Sequence, residues 1–224
     1  MAHTLYIVLW VNYKTYPKGM ADSGLAFSLM CEEVSDEVGV NVIICPQVAD
    51  IYRISQRVNL EIWAQHVDPL EPGRGTGFIL AESVLKAGAS GALINHSEHP
   101  ITKEKMKETL DHCQTLGLRS MVFVPDIDSI AMVSELGPDF IAFEPPELVS
   151  GDVSVSTAEN DEIKKAVEMI TNSGLIVGAG VHDYEDVKLA LESGAVGVLV
   201  SSALMEKSED PRSLLMQLLE PFQA

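Results

Sequence analysis

One short pattern recurs along the chain and limits its possible folds more than any other feature. A helix-like segment is followed by a glycine, then by a short apolar run, and then by a polar or turn-forming residue. The pattern is present in the stretches EVGVNVIICP, KAGASGALINHS, TLGLRSMVFVP, ELGPDFIAFEP, NSGLIVGAG and ESGAVGVLVSS. The apolar runs are nearly continuous rather than alternating, which is typical of parallel strands covered on both faces.

The glycine of each unit fits the position after a helix, where a left-handed backbone costs glycine little. These glycines are Gly39, Gly88, Gly117, Gly137, Gly174 and Gly194. Two further apolar runs, at 6–11 and 60–65, bring the predicted strands to eight. Amphipathic segments such as 103–116 and 161–171 lie between them and predict helices.

Eight units in 224 residues leave 28 residues for each, which is enough for one strand and one helix. This repetition predicts an α/β fold, a single (β/α)8 barrel domain spanning residues 1–224. An open doubly wound sheet is the alternative, and it would place a glycine-rich turn for a dinucleotide after its first strand. Asn12, Tyr13 and Lys14 occupy that place, which favours the barrel.

Composition narrows the expected partners and compartment. Fifteen Lys and Arg against 33 Asp and Glu give a net charge of −18, which argues against binding to nucleic acid or an anionic membrane. The first apolar run is too short to span a membrane and lacks a basic start. The three cysteines are far apart and never form Cys-x-x-Cys, so we expect neither a disulfide framework nor a thiolate zinc site. A cytoplasmic protein is expected.

The barrel also predicts where chemistry takes place, because active sites of this fold lie at the C-terminal strand ends. Polar residues and glycines stand at these ends, and we expect them to share one rim. They are Asn12, Lys14, Gln65, His66, Asn95, His96, Glu98, Asp126, Glu144, Gly178, Gly180, Ser201 and Ser202.

Glu144 follows the sixth strand and precedes two prolines. A glutamate at a strand end is more often ion-paired or solvated, but Phe143 and the prolines reduce its hydration. Reduced hydration favours a raised pKa and a usable base. The polar residues 147–151 that follow lack strand or helix periodicity, and they form either an ordinary loop or a lid.

His96 allows three interpretations: a metal ligand, a structural histidine, or a proton donor. A metal site is disfavoured because a strand end that turns into a helix does not aim residues 96, 98 and 99 at one ion. A proton donor fits if a helix begins near Ser97, since its positive end lowers the pKa of a nearby imidazole. His99, before Pro100, is expected to be a solvated loop residue.

Lys14 is the cation near the end of the first strand that can point inward, and Glu98 offers it a buried counter-charge. A surface lysine is the commoner alternative. The turn 178–180 and the Ser201-Ser202 turn are candidates for binding phosphate, because loops after the seventh and eighth strands commonly do so in this fold.

Together these motifs resemble the triosephosphate isomerases, and in particular their short archaeal-type branch. The matching stretches are VNYKTY at 11–16, AQHVDP at 64–69, GTG at 75–77, INHSEH at 94–99, FEPPELVSGDVSVS at 143–156, GAGV at 178–181 and GVLVSS at 197–202. They span nearly the whole chain in order. The resemblance implies a TIM barrel that interconverts D-glyceraldehyde 3-phosphate and dihydroxyacetone phosphate, in glycolysis and gluconeogenesis, without metal or cofactor.

The resemblance also implies a role for each residue. Glu144 would be the base and neutral His96 the electrophile, while Lys14 would stabilise the negative enediolate. Asn12 and Glu98 would position the groups around it. Backbone amides would bind the phosphate beneath a lid at about 145–153; they belong to Val149, Gly180, Ser201 and Ser202. Thr76 would lie in a subunit-contact loop of a homodimer or homotetramer.

Two stretches depart from the family pattern. The lid has Val-Ser-Gly-Asp at 149–152 where Ile-Gly-Thr-Gly is more common, which places a carboxylate near the phosphate. Ser201-Ser202-Ala203 stands where the archaeal-type pattern is Ala-Ser-Gly. The alternatives are a barrel isomerase acting on another small sugar phosphate, or a non-catalytic paralogue that binds a phosphate ligand. Retention of Lys14, His96 and Glu144 argues against the paralogue.

Overall fold

The computed structural model describes residues 8–145 and 160–223. Each predicted apolar run contributes a strand. The strands are β1 (Val8–Asn12), β2 (Val42–Cys45), β3 (Glu61–Ala64), β4 (Gly91–Ile94), β5 (Arg119–Val124), β6 (Phe140–Phe143), β7 (Gly174–Val177) and β8 (Gly197–Val200).

The eight strands form a closed parallel barrel in chain order, which confirms the predicted (β/α)8 fold. β8 closes the barrel against β1, with Val8 opposite Gly197 and Val11 opposite Val200. Because all strands run in the same direction, their C-terminal ends meet at one rim. Residues separated by most of the chain therefore lie beside one another there.

Helices connect the strands and cover the outside of the barrel. In the described chain they are α1 (Ala21–Val38), α2 (Ile51–Ser55), α3 (Ala81–Lys86), α4 (Lys103–Leu116), α5 (Ile127–Leu136), α6 (Asn160–Met169), α7 (Tyr184–Glu192) and α8 (Pro211–Leu219). α4 has the predicted bounds, whereas α6 ends two residues before the predicted segment does. Among the described helices, none has the length and hydropathy needed to cross a bilayer.

Glycine ends several helices as predicted. Gly39, Gly117 and Gly137 follow α1, α4 and α5 with left-handed backbones, at φ of 73°, 70° and 70°. Positive φ also occurs at Gly88 and Gly194. The prediction is wrong for Gly174, because α6 already ends at Met169 and Gly174 is the first residue of β7.

Alternate strand residues pack on opposite sides of the sheet, which creates two apolar layers. Leu9 belongs to the layer shared with the helices, and Trp10 belongs to the layer inside the barrel. Trp10, Trp63 and Phe140 pack against each other there, with ring centroids 5.0–5.9 Å apart. The barrel interior is therefore a packed core, and the C-terminal rim above it is where a substrate can bind.

Candidate active site

Residues that follow the first four strands, β1 to β4, line a cavity of about 280 Å³ at the C-terminal rim. They include Asn12 and Lys14 after β1, Gln65 after β3, and His96 and Glu98 after β4. The structure thus brings together side chains that are as many as 86 positions apart in the sequence. Six of the residues expected at the rim line this cavity: Asn12, Lys14, Gln65, His66, His96 and Glu98.

His96 and Glu144 form the buried centre of the site. Their residues are 6% and 5% exposed, and Nε2 of His96 lies 3.7 Å from Oε1 of Glu144. The edge of the His96 ring packs against Phe123, with centroids 4.8 Å apart. Both groups are therefore largely shielded from water.

The hydrogen bonds of His96 determine which ring nitrogen carries its proton. Nδ1 accepts a hydrogen bond from the backbone N–H of Glu98 at 3.1 Å, so in the neutral ring the proton is on Nε2. Nε2 is buried and has no hydrogen-bond partner among the described residues. A buried N–H normally has an acceptor, and this one lacks a partner of the kind that a ligand oxygen could supply.

Burial and, to a smaller extent, the charge of Lys14 lower the pKa of His96 to about 4, against the opposing effect of Glu98. The imidazole is therefore neutral near pH 7. The expected helix near Ser97 is absent, because residues 97–98 form a turn and α4 begins at Lys103. Burial and the Lys14 ammonium group, rather than the predicted helix N-terminus, therefore lower the pKa of His96.

Burial also raises the pKa of Glu144, to about 7, against the opposing effects of Lys14 and Ser97. The Ser97 hydroxyl donates a hydrogen bond to Oε2 of Glu144 at 3.2 Å. Because His96 is neutral, its contact with Glu144 is not a salt bridge. A carboxyl group with this pKa can hold or release a proton near neutral pH, as a general base requires.

Lys14 is held by its backbone as well as by its ammonium group. Its φ is 43°, unusual for a residue with a side chain. Oδ1 of Asn12 accepts from its N–H at 2.9 Å, and Nε2 of Gln65 donates to its carbonyl at 2.9 Å. Nζ of Lys14 lies 2.9 Å from Oε1 of Glu98. The predicted counter-charge is present, but it is not buried, since the Glu98 side chain is 58% exposed.

The phosphate-binding candidates lie on the strand ends beside this centre. Gly180 is buried with φ of 72°, and Ser201 and Ser202 follow β8 directly. The Ser201 hydroxyl oxygen is buried and has no hydrogen-bond partner among the described residues. Val149 and all of the predicted lid at 145–153 except Pro145 lie outside the described residues.

The metal interpretation of the INHSEH stretch gains no support. Within residues 8–145 and 160–223, no three His, Cys, Asp or Glu side chains are placed to hold a metal ion. His99 is exposed, and its ring lies against His66 with centroids 4.2 Å apart. Thr76 is also exposed, in the loop between β3 and α3.

Comparison with known proteins gives the family. The family model for triosephosphate isomerase matches residues 7–220. The triosephosphate isomerase of Methanobacterium bryantii is 37% identical over 216 residues, which cover 95% of each chain. That of Methanosarcina barkeri is 36% identical over 218 residues, covering 96% of this chain and 97% of the relative. The chain belongs to the triosephosphate isomerase family.

The fold comparison agrees with this membership. The crystal structure of triosephosphate isomerase from Bartonella henselae superposes with a TM-score of 0.72, covering 97% of this chain and 99% of the other, at 16% identity. At that identity the likeness concerns the fold alone. The two archaeal relatives agree with the short archaeal-type branch that the motifs resemble.

Three residues of this triosephosphate isomerase family member support the site in ways that the sequence did not reveal. Ser97 donates to Glu144, Gln65 holds the carbonyl of Lys14, and Gly178 leaves space for the glutamate. A Cβ atom at position 178 would lie 2.7 Å from Cγ of Glu144. Their places at strand ends were visible in the sequence, but their contacts depend on strands that are distant in the chain.

Proposed function

We propose that this chain interconverts D-glyceraldehyde 3-phosphate and dihydroxyacetone phosphate by proton transfer through an enediolate, with Glu144 as base. Membership of the triosephosphate isomerase family supports the aldose–ketose isomerase activity. The observation that carries the residue assignment is the unpartnered Nε2–H of His96 at 3.7 Å from the buried Glu144 carboxyl. The pairing of a glutamate base with a neutral histidine is the one established for triosephosphate isomerases.

The proposed steps move only protons, and the substrate gains or loses no atom or electron overall. The Glu144 carboxylate removes a proton from the carbon beside the carbonyl, while Nε2–H of His96 donates to the carbonyl oxygen. The C–H electron pair forms the enediolate double bond, and the oxygen takes up negative charge. Glu144 then returns the proton to the adjacent carbon as His96 shuttles a proton between the two oxygens. No redox cofactor is needed, because oxidation at one carbon balances reduction at the other.

Lys14 is proposed to stabilise the enediolate charge. Its strained backbone and the Gln65 and Asn12 hydrogen bonds fix the start of the side chain, and Glu98 holds the ammonium group. A group held in advance loses little entropy when charge develops beside it. These contacts would therefore hold the Lys14 ammonium group in place before the enediolate charge develops.

The phosphate is proposed to bind at backbone amides of Val149, Gly180, Ser201 and Ser202, under the lid at about 145–153. Such a site lets a chain with a net charge of −18 bind an anion through local dipoles. Closure of the lid would exclude water and suppress loss of phosphate from the enediolate. The Ser201 hydroxyl, buried without a partner, is an additional donor toward the phosphate.

We further propose that the protein is a cytoplasmic homodimer or homotetramer that binds neither nucleic acid nor membrane. Its three cysteines are free and buried, which suits a reducing compartment. Thr76 and Phe78 are exposed in one loop, and Phe78 exposes 55% of its surface. An apolar side chain this exposed beside Thr76 supports a subunit contact there.

The test is isomerase activity of the purified chain beside a Glu144→Gln variant. We expect the variant to lose about 10³-fold or more in kcat, because the amide cannot accept the proton. Glu135→Gln is the matched control, since Glu135 is an exposed carboxylate on α5 and should retain full activity.

The alternatives predict different results in the same experiment. A wild type that binds the enediolate mimic 2-phosphoglycolate but turns over no triose phosphate would support the non-catalytic paralogue. Turnover of a different aldose phosphate in preference to glyceraldehyde 3-phosphate would support another sugar phosphate isomerase. Equal activity of the Glu144→Gln and Glu135→Gln variants would refute the assignment of the base.

A further inference from the structure

The segment that follows β1 packs against the segment that follows β8, and this contact takes no part in the proton transfers above. The first segment contains a short 3-10 helix (Pro17–Gly19), and the second contains a turn of π-helix (Ala203–Lys207), called the π turn here. They meet because β1 and β8 are neighbours in the barrel, so their C-terminal ends lie side by side. Turns of π-helix are rare and frequently occur at functional sites, which makes this contact a candidate for a supporting role.

Lys18 binds the π turn through backbone oxygens. Its Nζ donates to the carbonyl of Leu204 at 3.0 Å and to that of Ser208, the next residue after the turn, at 3.3 Å. Carbonyls at the end of a helical segment lack internal partners, and a cation interacts favourably with them. Lys18 is half-buried. Its ammonium group therefore joins two parts of the chain that are 186 and 190 positions away from it.

Two neighbours of Lys18 also lie against the π turn. A Cβ atom at Gly19 would lie 3.0 Å from Cε of Met205, so the two backbones approach closely there. Burial raises the pKa of Tyr16, and a hydrogen bond to the Glu206 side chain raises it further. The contact around Lys18 is therefore a packed junction between the two segments rather than an isolated surface hydrogen bond.

The π turn in turn fixes a peptide group of the phosphate-binding candidates. The backbone N–H groups of Leu204 and Met205 donate to the carbonyl of Ser201 at 3.1 and 2.9 Å. The carbonyl of Ser201 and the N–H of Ser202 belong to one planar trans peptide unit, in which they point in opposite directions. A fixed Ser201 carbonyl therefore gives the Ser202 N–H a fixed direction.

We propose that Lys18 is a positioning residue for phosphate binding. It holds the Leu204 carbonyl, the amides of the π turn hold the Ser201 carbonyl, and the Ser202 N–H is thereby aimed before the ligand arrives. Donors that are oriented in advance reorganise little when they meet a charge. This inference rests on the proposed function, because it takes the Ser202 amide as a phosphate donor; Lys18 itself is not assigned a contact with substrate.

The first experiment measures binding of 2-phosphoglycolate to the full chain by isothermal titration calorimetry. Lys18→Met keeps most of the side-chain length and removes the donors, so it should raise Kd by about tenfold, as expected for loss of a hydrogen bond from a charged group. Lys18→Arg keeps both donors and charge and should stay within about threefold of wild type. Lys86→Met is the matched control, since it removes the same charge from an exposed position of α3 and should bind like wild type.

A second readout separates positioning from a general structural role. D-glyceraldehyde lacks the phosphate, so Lys18→Met should lower kcat/KM for glyceraldehyde 3-phosphate by about tenfold and leave that for D-glyceraldehyde within about twofold of wild type. Lys18→Gln, which keeps an N–H donor without the charge, should weaken 2-phosphoglycolate binding by a smaller factor than Lys18→Met. It replaces Lys18→Met as the test variant if thermal unfolding shows that the latter does not fold.

Several results would overturn the proposal. Equal Kd values for wild type and Lys18→Met would show that the junction does not affect the phosphate, and an equal loss in Lys86→Met would assign the effect to net charge. A loss in Lys18→Met that disappears in about 0.5 M NaCl would make Lys18 a distant charge rather than a holder of the backbone. Equal falls in kcat/KM for both substrates would make its role merely structural.

The calorimetry also distinguishes this inference from the proposed function. A wild type that binds 2-phosphoglycolate while Lys18→Met binds it equally well refutes the role of Lys18 alone. A wild type that binds no 2-phosphoglycolate removes the phosphate site, and it refutes the proposed function together with this inference. Binding without turnover contradicts only the proposed activity, and the Kd values of the variants still decide whether Lys18 positions the phosphate donors.

Discussion

At the scale of single residues, opposite pKa shifts divide the chemistry between two side chains. The same burial raises the pKa of Glu144 and lowers that of His96, because in each case it disfavours the charged form. A carboxyl group that titrates near neutrality and an imidazole that stays uncharged fit the base and the hydrogen-bond donor proposed for the enediolate mechanism.

The raised pKa of Glu144 predicts the pH profile. A base acts only when ionised, so kcat/KM of the free enzyme should fall below pH of about 7, by roughly tenfold for each further pH unit. His96, with a pKa of about 4, should add no second fall between pH 5 and 8. Steady-state rates at saturating and subsaturating substrate from pH 5 to 9 test this, and a flat profile down to pH 5 would contradict it.

Because its pKa is raised, ionised Glu144 lowers the free energy of unfolding at high pH. Its folded pKa is raised above the ordinary value of 4.5, so the folded state binds this proton more tightly than the unfolded state does. The free energy of unfolding therefore falls as pH rises from about 4.5 to 7, and the loss of stability is complete above that range. We expect Glu144→Gln to be more stable than wild type by on the order of 1–3 kcal/mol at pH 8 and by less at pH 5. Urea unfolding at both pH values measures the difference, and a gap independent of pH would count against this explanation.

His96 offers a test in which two neighbours act in opposite directions. Lys14 lowers its pKa and Glu98 raises it, so Lys14→Met should raise the His96 pKa and Glu98→Gln should lower it. The ring resonances of His96, assigned with a His96→Gln variant, report this by NMR titration. Movement of both variants in the same direction would show that the electrostatic description is wrong.

At the scale of elements, the end of β7 determines the space available to the end of β6. Gly178 lies so close to Glu144 that a Cβ would meet its Cγ at 2.7 Å. Gly178→Ala should therefore displace the base and lower kcat by about 10–100-fold, because catalysis is sensitive to shifts of this size. Assay of kcat and of thermal unfolding for the same preparation distinguishes displacement from misfolding.

Gly137 gives the matched glycine variant. It ends α5 with φ of 70°, and no atom lies within 4 Å of a Cβ built there. Gly137→Ala should cost about 1 kcal/mol in unfolding free energy through the left-handed backbone and leave kcat unchanged. If both glycine variants lose activity equally, the steric argument for Gly178 fails.

The elements also show how far the sequence could predict this molecule. The glycine and the apolar run of each unit predicted the strands and hence the barrel, because both features can be recognised within a few neighbouring residues. The prediction that Gly174 follows a helix end was wrong, because a strand that begins with glycine has the same local pattern as a helix that is followed by one. The turn after His96 and the Ser97 hydrogen bond to Glu144 could not be predicted, since they depend on how β4 and β6 are placed relative to each other.

At the scale of the whole molecule, the loop with Thr76 is proposed to join subunits, and Phe78 is its most exposed apolar side chain. Phe78→Asp should shift the protein toward a smaller assembly, because it places a charge in an apolar contact. Sedimentation velocity measures this at several concentrations. Leu29→Asp, at a partly exposed position of α1, is the control, and an unchanged assembly in Phe78→Asp would remove this loop from the interface.

Closure of the barrel between Val8 and Gly197 has a consequence for protein synthesis. The first strand leaves the ribosome before its closing partner, which is available only after Gly197–Val200 has been translated. During that interval the growing sheet has two open edges, which can pair with other chains. The barrel therefore cannot close before β8 has been synthesised, and the yield in cells should depend on chaperones that shield those edges until that strand emerges.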